Sequence, residues 1–179
     1  MKTKILMALF VSVFLTSCGS TPLLLKGEYP KVQTAETDLS KDEVWGKVID
    51  YFSQEGIPIN VIDKSSGLIS SERMSFLDVT TTENKDGELN NVNAYIVALP
   101  VTAMFGNVLP LNNGRYDVTA SWNVRIKEYE GKTLITINVV NLKGQYQNPP
   151  SQFSPTGSIV PVEVKSTGIF EKQLIELFK

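Results

Sequence analysis

The chain has 179 residues, of which 42% are hydrophobic and 20% charged, with a formal net charge of -2, one cysteine and no histidine. This composition suits one folded domain with its own core and excludes collagen-like, coiled-coil and wholly disordered chains. It also excludes a Ser-His-Asp triad, a Cys-His pair, the usual zinc sites, an intramolecular disulfide and a basic footprint for nucleic acid.

The first element reads as an export signal. Lys2 and Lys4 form a positive n-region, and Ile5 to Phe14 an apolar run shorter than the roughly 20 residues a spanning helix needs. Leu15-Thr16-Ser17-Cys18 follows, a leucine and two small residues ahead of the cysteine. This order resembles the lipobox of bacterial lipoproteins. The resemblance implies cleavage between Ser17 and Cys18, so that residues 1–17 are a lipoprotein signal peptide and the Cys18 thiol carries diacylglycerol. The alternative is an ordinary signal peptide that ends near a cysteine, which leaves a free thiol in an exported chain. Each buried CH₂ contributes about 0.8 kcal/mol, so two or three acyl chains hold a protein at a membrane and no later segment needs to span. Loss of Lys2 and Lys4, with no acid removed, takes the net charge from -2 to -4. Attraction to anionic headgroups then adds little. Gly19, Ser20, Thr21 and Pro22 come next, without an aspartate beside the cysteine or an acidic cluster. By the same resemblance, that implies the outer membrane, facing the periplasm.

Residues 18–30 read as the lipidated N-terminus and its tether, and residues 31–179 as one domain. Val32 to Thr37 suits a strand along a sheet edge. Ser40-Lys41-Asp42-Glu43 fits a capping box, with Leu39 and Val44 at the hydrophobic-staple positions. Val44, Trp45, Val48, Ile49 and Phe52 then recur at helical spacing as far as Gly56. A strand over Ile57 to Ile62, a turn at residues 63–67 and a returning strand from Leu68 to Met74 come next. Residues 78–91 are polar and read as a hairpin tip centred on Lys85-Asp86-Gly87-Glu88. From Leu89 to Gly114 no residue is charged. Pro100 and Pro110 exclude a membrane helix there, leaving Tyr95 to Val101 as a buried strand and residues 102–113 as an apolar loop. Tyr116, Val118, Ala120, Trp122, Val124 and Ile126 alternate with polar residues, the period of a strand with one dry and one wet face. Glu130-Gly131-Lys132 turns the chain and Leu134 to Leu142 returns. Residues 143–165, with four prolines, read as a long irregular connection. Phe170, Leu174, Leu177 and Phe178 mark a last helix. The order β-α-β(n)-α predicts an α+β fold, with a single curved antiparallel sheet packed against two helices.

Residues 38–76 carry a further cadence: Asp38, Asp42-Glu43-Val44-Trp45, the helix to Gly56, then Ile59-Asn60-Val61-Ile62-Asp63-Lys64-Ser65-Ser66-Gly67-Leu68-Ile69. It resembles the repeat unit of BamC-type (NlpB-like) outer-membrane lipoproteins, and is similar to lipoprotein domains with a TATA-binding-protein-like or helix-grip fold. The chain departs from that pattern in having one such unit and a long uncharged insertion. The resemblance implies a curved sheet gripping a C-terminal helix, and a role in outer-membrane assembly.

No catalytic constellation stands out. Glu130-Gly131-Lys132-Thr133 ends like a P-loop, but Ile126 stands where the first glycine belongs, and a hairpin turn accounts for it. Thr82-Glu83-Asn84-Lys85 is a distorted Ser-x-x-Lys in a polar loop without an apolar partner helix. The pairs Glu128/Glu130 and Asp42/Glu43 fall on a turn and a capped helix start, where glycoside chemistry needs carboxylates across a cleft. Trp45 and Trp122 lie on apolar faces and read as core. No catalytic residue, metal ligand or cofactor is predicted, and the protein is expected not to be an enzyme.

Two loops are rich in apolar residues, one with Met104, Phe105 and Leu109, the other with Tyr146 and Phe153. Exposed together they form a candidate interaction patch; folded back over the sheet they form a lid. Two functions follow as expectations. The first is a lipid-anchored, periplasm-facing envelope lipoprotein acting as a protein-interaction module, with an envelope protein as partner and no nucleic acid. The second is a binding protein for an apolar small molecule or lipid between sheet and helix, with residues 100–113 at the mouth.

Overall fold

The computed structural model describes residues 24–30, 32–101, 114–150 and 156–179. In chain order they form β1 (Gln33–Thr37), α1 (Lys41–Gln54), β2 (Ile59–Asp63), β3 (Leu68–Ser71), β4 (Met74–Ser75), a 3₁₀ turn (Leu77–Val79), β5 (Thr80–Thr82) and β6 (Ile96–Ala98). The long strands β7 (Arg115–Tyr129) and β8 (Lys132–Asn148) follow, then β9 (Ser158–Val162), β10 (Val164–Ser166) and α2 (Ile169–Glu176).

α1 starts where its sequence supplies a cap. Ser40 is extended (φ -63°, ψ 156°), its hydroxyl accepts from the Glu43 N–H, and the Glu43 carboxylate accepts the Ser40 N–H at 2.8 Å. The reciprocal bonds satisfy two donors that a bare helix end leaves open. Val44, Trp45, Val48 and Phe52 then form one buried stripe, and its packing stabilises the helix more than propensity does. Between β2 and β3 the Asp63 carboxylate accepts the Ser65 N–H at 2.9 Å and the Ser65 hydroxyl at 2.6 Å, an Asx turn.

The spine of the molecule is the β7–β8 hairpin, paired from Tyr129↔Lys132 to Arg115↔Gln147. Glu130 (φ 50°) and Gly131 (φ 81°) are both left-handed, as a two-residue type I′ turn requires. The inward set of β7 is the one its alternation predicts: Tyr116, Val118, Ala120, Trp122, Val124 and Ile126 are all buried. A bulge interrupts the ladder between the pairs Thr119↔Lys143 and Ser121↔Val140, so that Asn141 and Leu142 oppose Ala120 alone. Asn141 takes a φ of 54° there, which asparagine tolerates better than most side chains. The bulge also divides the hairpin's neighbours. On the turn side β8 pairs with β1, and β7 with β3 and through it β2. At and beyond the bulge β8 pairs with β9, and β7 with β4. The product is a seven-stranded antiparallel sheet with the order β1-β8-β7-β3-β2 along its main path.

The fold is thus α+β, with a large antiparallel sheet and two helices, but the expected single sheet is two. β6 pairs in parallel with β5 and antiparallel with β10 in a separate three-stranded sheet. The reason lies in β6, whose Ile96, Val97 and Ala98 are all buried. Buried backbone needs partners on both sides, and β6 finds them in segments that read as polar tip and irregular connection. Residues 143–165 are correspondingly more regular than expected, since β8 runs on to Asn148 and β9 and β10 follow. Pro161, which has no ladder donor, falls in an edge strand where that lack is tolerated.

α1 packs on β7, and α2 on β1 and β8. Phe170 of α2 stacks on Trp122 with ring centroids 3.7 Å apart and 17° between planes, and Phe76 meets the same indole edge-on at 5.3 Å. Ile96 and Ala98 belong to this core as well, so both sheets and both helices share it.

Candidate functional site

The end of the hairpin opposite its turn holds Tyr146, one of the residues the sequence singled out. Tyr116 and Tyr146 are register partners there, T-shaped with centroids 4.9 Å apart. The Tyr116 hydroxyl donates to the Leu99 carbonyl and accepts the Val101 N–H, both at 3.3 Å. Burial pushes its pKa up, the Val101 N–H opposes this and nearby Tyr146 adds to it, so the phenol stays protonated and bridges the chain ahead of residue 102 to the strand after residue 113. Tyr146, one member of the candidate patch, is 2% exposed, so it does not belong to an exposed surface. Because β8 continues to Asn148, period two carries Tyr146 inward together with Gly144.

Met104, Phe105, Leu109 and Phe153 lie outside the described residues, as do Cys18 and residues 1–17. The structure does place the stems of both loops. Arg115 pairs with Gln147 and Asn148 with Ser158, so the segments 102–113 and 149–157 join the same end of the hairpin. Beside these stems, β9 presents Ile159, 63% exposed, and Val160, 37% exposed. Among the described residues β9 pairs only with β8, which leaves its outer edge open.

Two carboxyl groups are buried, and their environments shift them in opposite directions. Glu83, just after β5, accepts the N–H groups of Lys26 and Gly27, each at 2.8 Å, and the Tyr29 hydroxyl at 2.6 Å. Burial opposes its charge, but the bonds from Tyr29, Lys26 and Gly27 and the Lys165 cation outweigh that, so the carboxyl is held below its usual range. Tyr29 moves the other way, its phenol pushed far up by burial and by the adjacent carboxylate. Glu171, in the first turn of α2, is 1% exposed. One of its oxygens accepts the Ser166 hydroxyl at 2.7 Å, and the other has no hydrogen-bond partner among the described residues. Burial pushes its pKa up despite the Ser166 hydroxyl and its own backbone N–H.

The described part of the expected tether is therefore docked, and the folded unit begins ahead of residue 31: Leu25 is buried and residues 26–29 sit on Glu83. Sequence patterning missed both carboxyls, because Glu83 lies in a polar run and Glu171 in an amphipathic helix where acids usually face water. The Thr82 hydroxyl, first residue of the distorted Ser-x-x-Lys, is buried and accepts from the Asn90 amide at 2.9 Å. Asp42 pairs with Lys64 at 3.0 Å on the surface. An open groove of about 220 Å³ between the helices has a mixed lining of Lys47, Asp50, Tyr51, Gln54 and Leu177. Among the described residues no group of three or more Cys, Asp or Glu could hold a metal ion, and no helix is long and apolar enough to cross a membrane.

No protein-family model and no curated protein matches the chain. What the geometry defines is a class: an α+β domain with two loop stems and an open edge strand at one end and its N-terminal segment held down by a buried carboxylate.

Proposed function

We propose that the protein is a lipid-anchored, periplasm-facing envelope lipoprotein that acts as a protein-interaction module. The observation that carries this reading is the convergence at one end of the β7–β8 hairpin. The stems of the two loops meet there, beside the exposed Ile159 and Val160 of an edge strand. An edge strand with no second ladder among the described residues, flanked by apolar side chains, suits a partner that adds a strand. The anchor on Cys18 is supported by the order of n-region, apolar run and lipobox, and the outer membrane by residues 19–22. The BamC-like cadence and the packing of α2 on β1 and β8 support a helix-grip or TATA-binding-protein-like domain with a part in outer-membrane assembly. In this reading the protein binds and does not catalyse, and it needs no cofactor.

A ligand cavity between sheet and helices has less support. Trp122 and Phe170 stack there, and Val44, Val48, Phe52 and Ile69 are 0% exposed, so the interface is filled by side chains.

The test is to tag the full-length protein at its C-terminus, cross-link it in its native cells and identify what co-purifies. A stoichiometric envelope protein is expected, lost when Ile159→Ser and Val160→Ser are combined. These exposed positions should change stability by no more than about 0.5 kcal/mol each. Recovery of the lipoprotein alone overturns the reading and directs attention to mass spectrometry for a bound apolar molecule.

A further inference from the structure

The segment leading from the N-terminus into β1 is tied to the domain at several points. Its centre is Glu83, 54 to 57 residues away along the chain. Oε2 accepts the Lys26 N–H, and Oε1 accepts both the Gly27 N–H and the Tyr29 hydroxyl. Two consecutive backbone donors on one carboxylate form a bidentate cradle. A carboxylate suits it because it offers several acceptor sites and no competing donor.

The surroundings are shaped for this contact. A Cβ on Gly27 would come within 2.6 Å of Tyr29 Oη and 2.9 Å of Glu83 Oε1, so a side chain there displaces the clamp. The Lys26 ammonium donates to the Lys85 carbonyl, which joins the segment to the 84–88 turn. Further on, the Gln33 amide donates to the Gly168 carbonyl at 2.8 Å. The 84–88 turn is itself closed, with Asn84 Oδ1 accepting from the Asp86 and Glu88 N–H groups at 2.9 and 3.0 Å.

We propose that Glu83 is a tether clamp, which captures residues 26–29, shortens the leash to the lipid and turns the 84–88 end of the domain toward the bilayer. The membrane part rests on the lipoprotein reading above. From Cys18 to Leu24 an extended chain reaches about 20 Å, whereas a leash free as far as Val32 reaches about 50 Å. The turn carries Lys85 beside Asp86 and Glu88, so tether length and not headgroup attraction sets the contact.

The test uses the full-length protein reconstituted in vesicles of phosphatidylethanolamine and phosphatidylglycerol, with two readouts. Hydrogen exchange at the Lys26 and Gly27 amides is expected to be about tenfold faster in Glu83→Gln and in Gly27→Ala than in the wild type, with β7–β8 amides unchanged. Tyr29→Phe keeps both backbone bonds and is expected to speed exchange about threefold, which keeps the clamp testable if a stronger variant fails to fold. For orientation, a fluorophore on a cysteine introduced by Asp86→Cys reports energy transfer to headgroup-labelled lipid, with Cys18 blocked by its acyl chain. That transfer should fall by about half when Glu83→Gln is added. Equal exchange in the wild type and Glu83→Gln overturns the clamp. Protected amides with an unmodified Cys18 by intact mass overturn the lipoprotein reading and the membrane role while leaving the docking contact. Protected amides, an acylated Cys18 and unchanged transfer overturn the orientation.

Discussion

Glu171 and Glu83 show how far the same side chain can be driven in opposite directions within one small domain. Glu171 is raised by burial, so the native state keeps its proton to a higher pH than the unfolded chain does. Its contribution is favourable below the unfolded-state pKa and is lost as pH rises through the folded value. Glu171→Gln removes that loss. It is expected to raise stability by about 1 kcal/mol at pH 8 and to leave it unchanged at pH 4, read from urea midpoints at both. A lower midpoint at pH 8 would show that the site holds the charge without penalty. Glu83 has the reverse sign: lowered in the fold, it stabilises above the unfolded-state pKa, and the gain fades as acid carries the pH through the folded value. Ser40 is a simpler case. Ser40→Ala removes one half of the capping box, and its expected cost is about 1 kcal/mol, or roughly a 3 °C fall in Tm by calorimetry.

Elements were legible where their signal is local. α1 carries its own cap and stripe, and β7 its own alternation, so each could be read from a window of a dozen or so residues. β8 was readable only as far as Leu142, because the bulge at Asn141 shifts the phase and the polar run of Lys143, Gly144 and Gln145 hides the strand beyond it. β5, β9 and β10 have no pattern of their own. They exist because β6 and β8 present backbone groups that need partners. α2 is short, and Phe170 joins it to the core through Trp122, Tyr51 and Tyr95. Phe170→Ala removes the ring stacked on Trp122 and is expected to cost about 3 to 5 kcal/mol in denaturant unfolding. Leu177→Ala, at a half-buried position, should cost clearly less, and equal losses would assign the anchoring of α2 to its apolar area alone.

At the scale of the whole molecule, the sequence by itself determined the composition class, the α+β order, the core tryptophans, the capped helix and the alternating strand. These depend on neighbours within one or two turns of chain, where propensity, period and capping act. Tertiary structure alone decided that there are two sheets, that Tyr146 points inward, that the stems of two distant loops share one end of a hairpin, and that the segment ahead of β1 is held by a carboxylate. Each of these depends on partners tens of residues away, such as Glu83 with Gly27 or Tyr116 with Leu99. No local pattern encodes them, because burial and hydrogen-bond satisfaction belong to the packed chain as a whole.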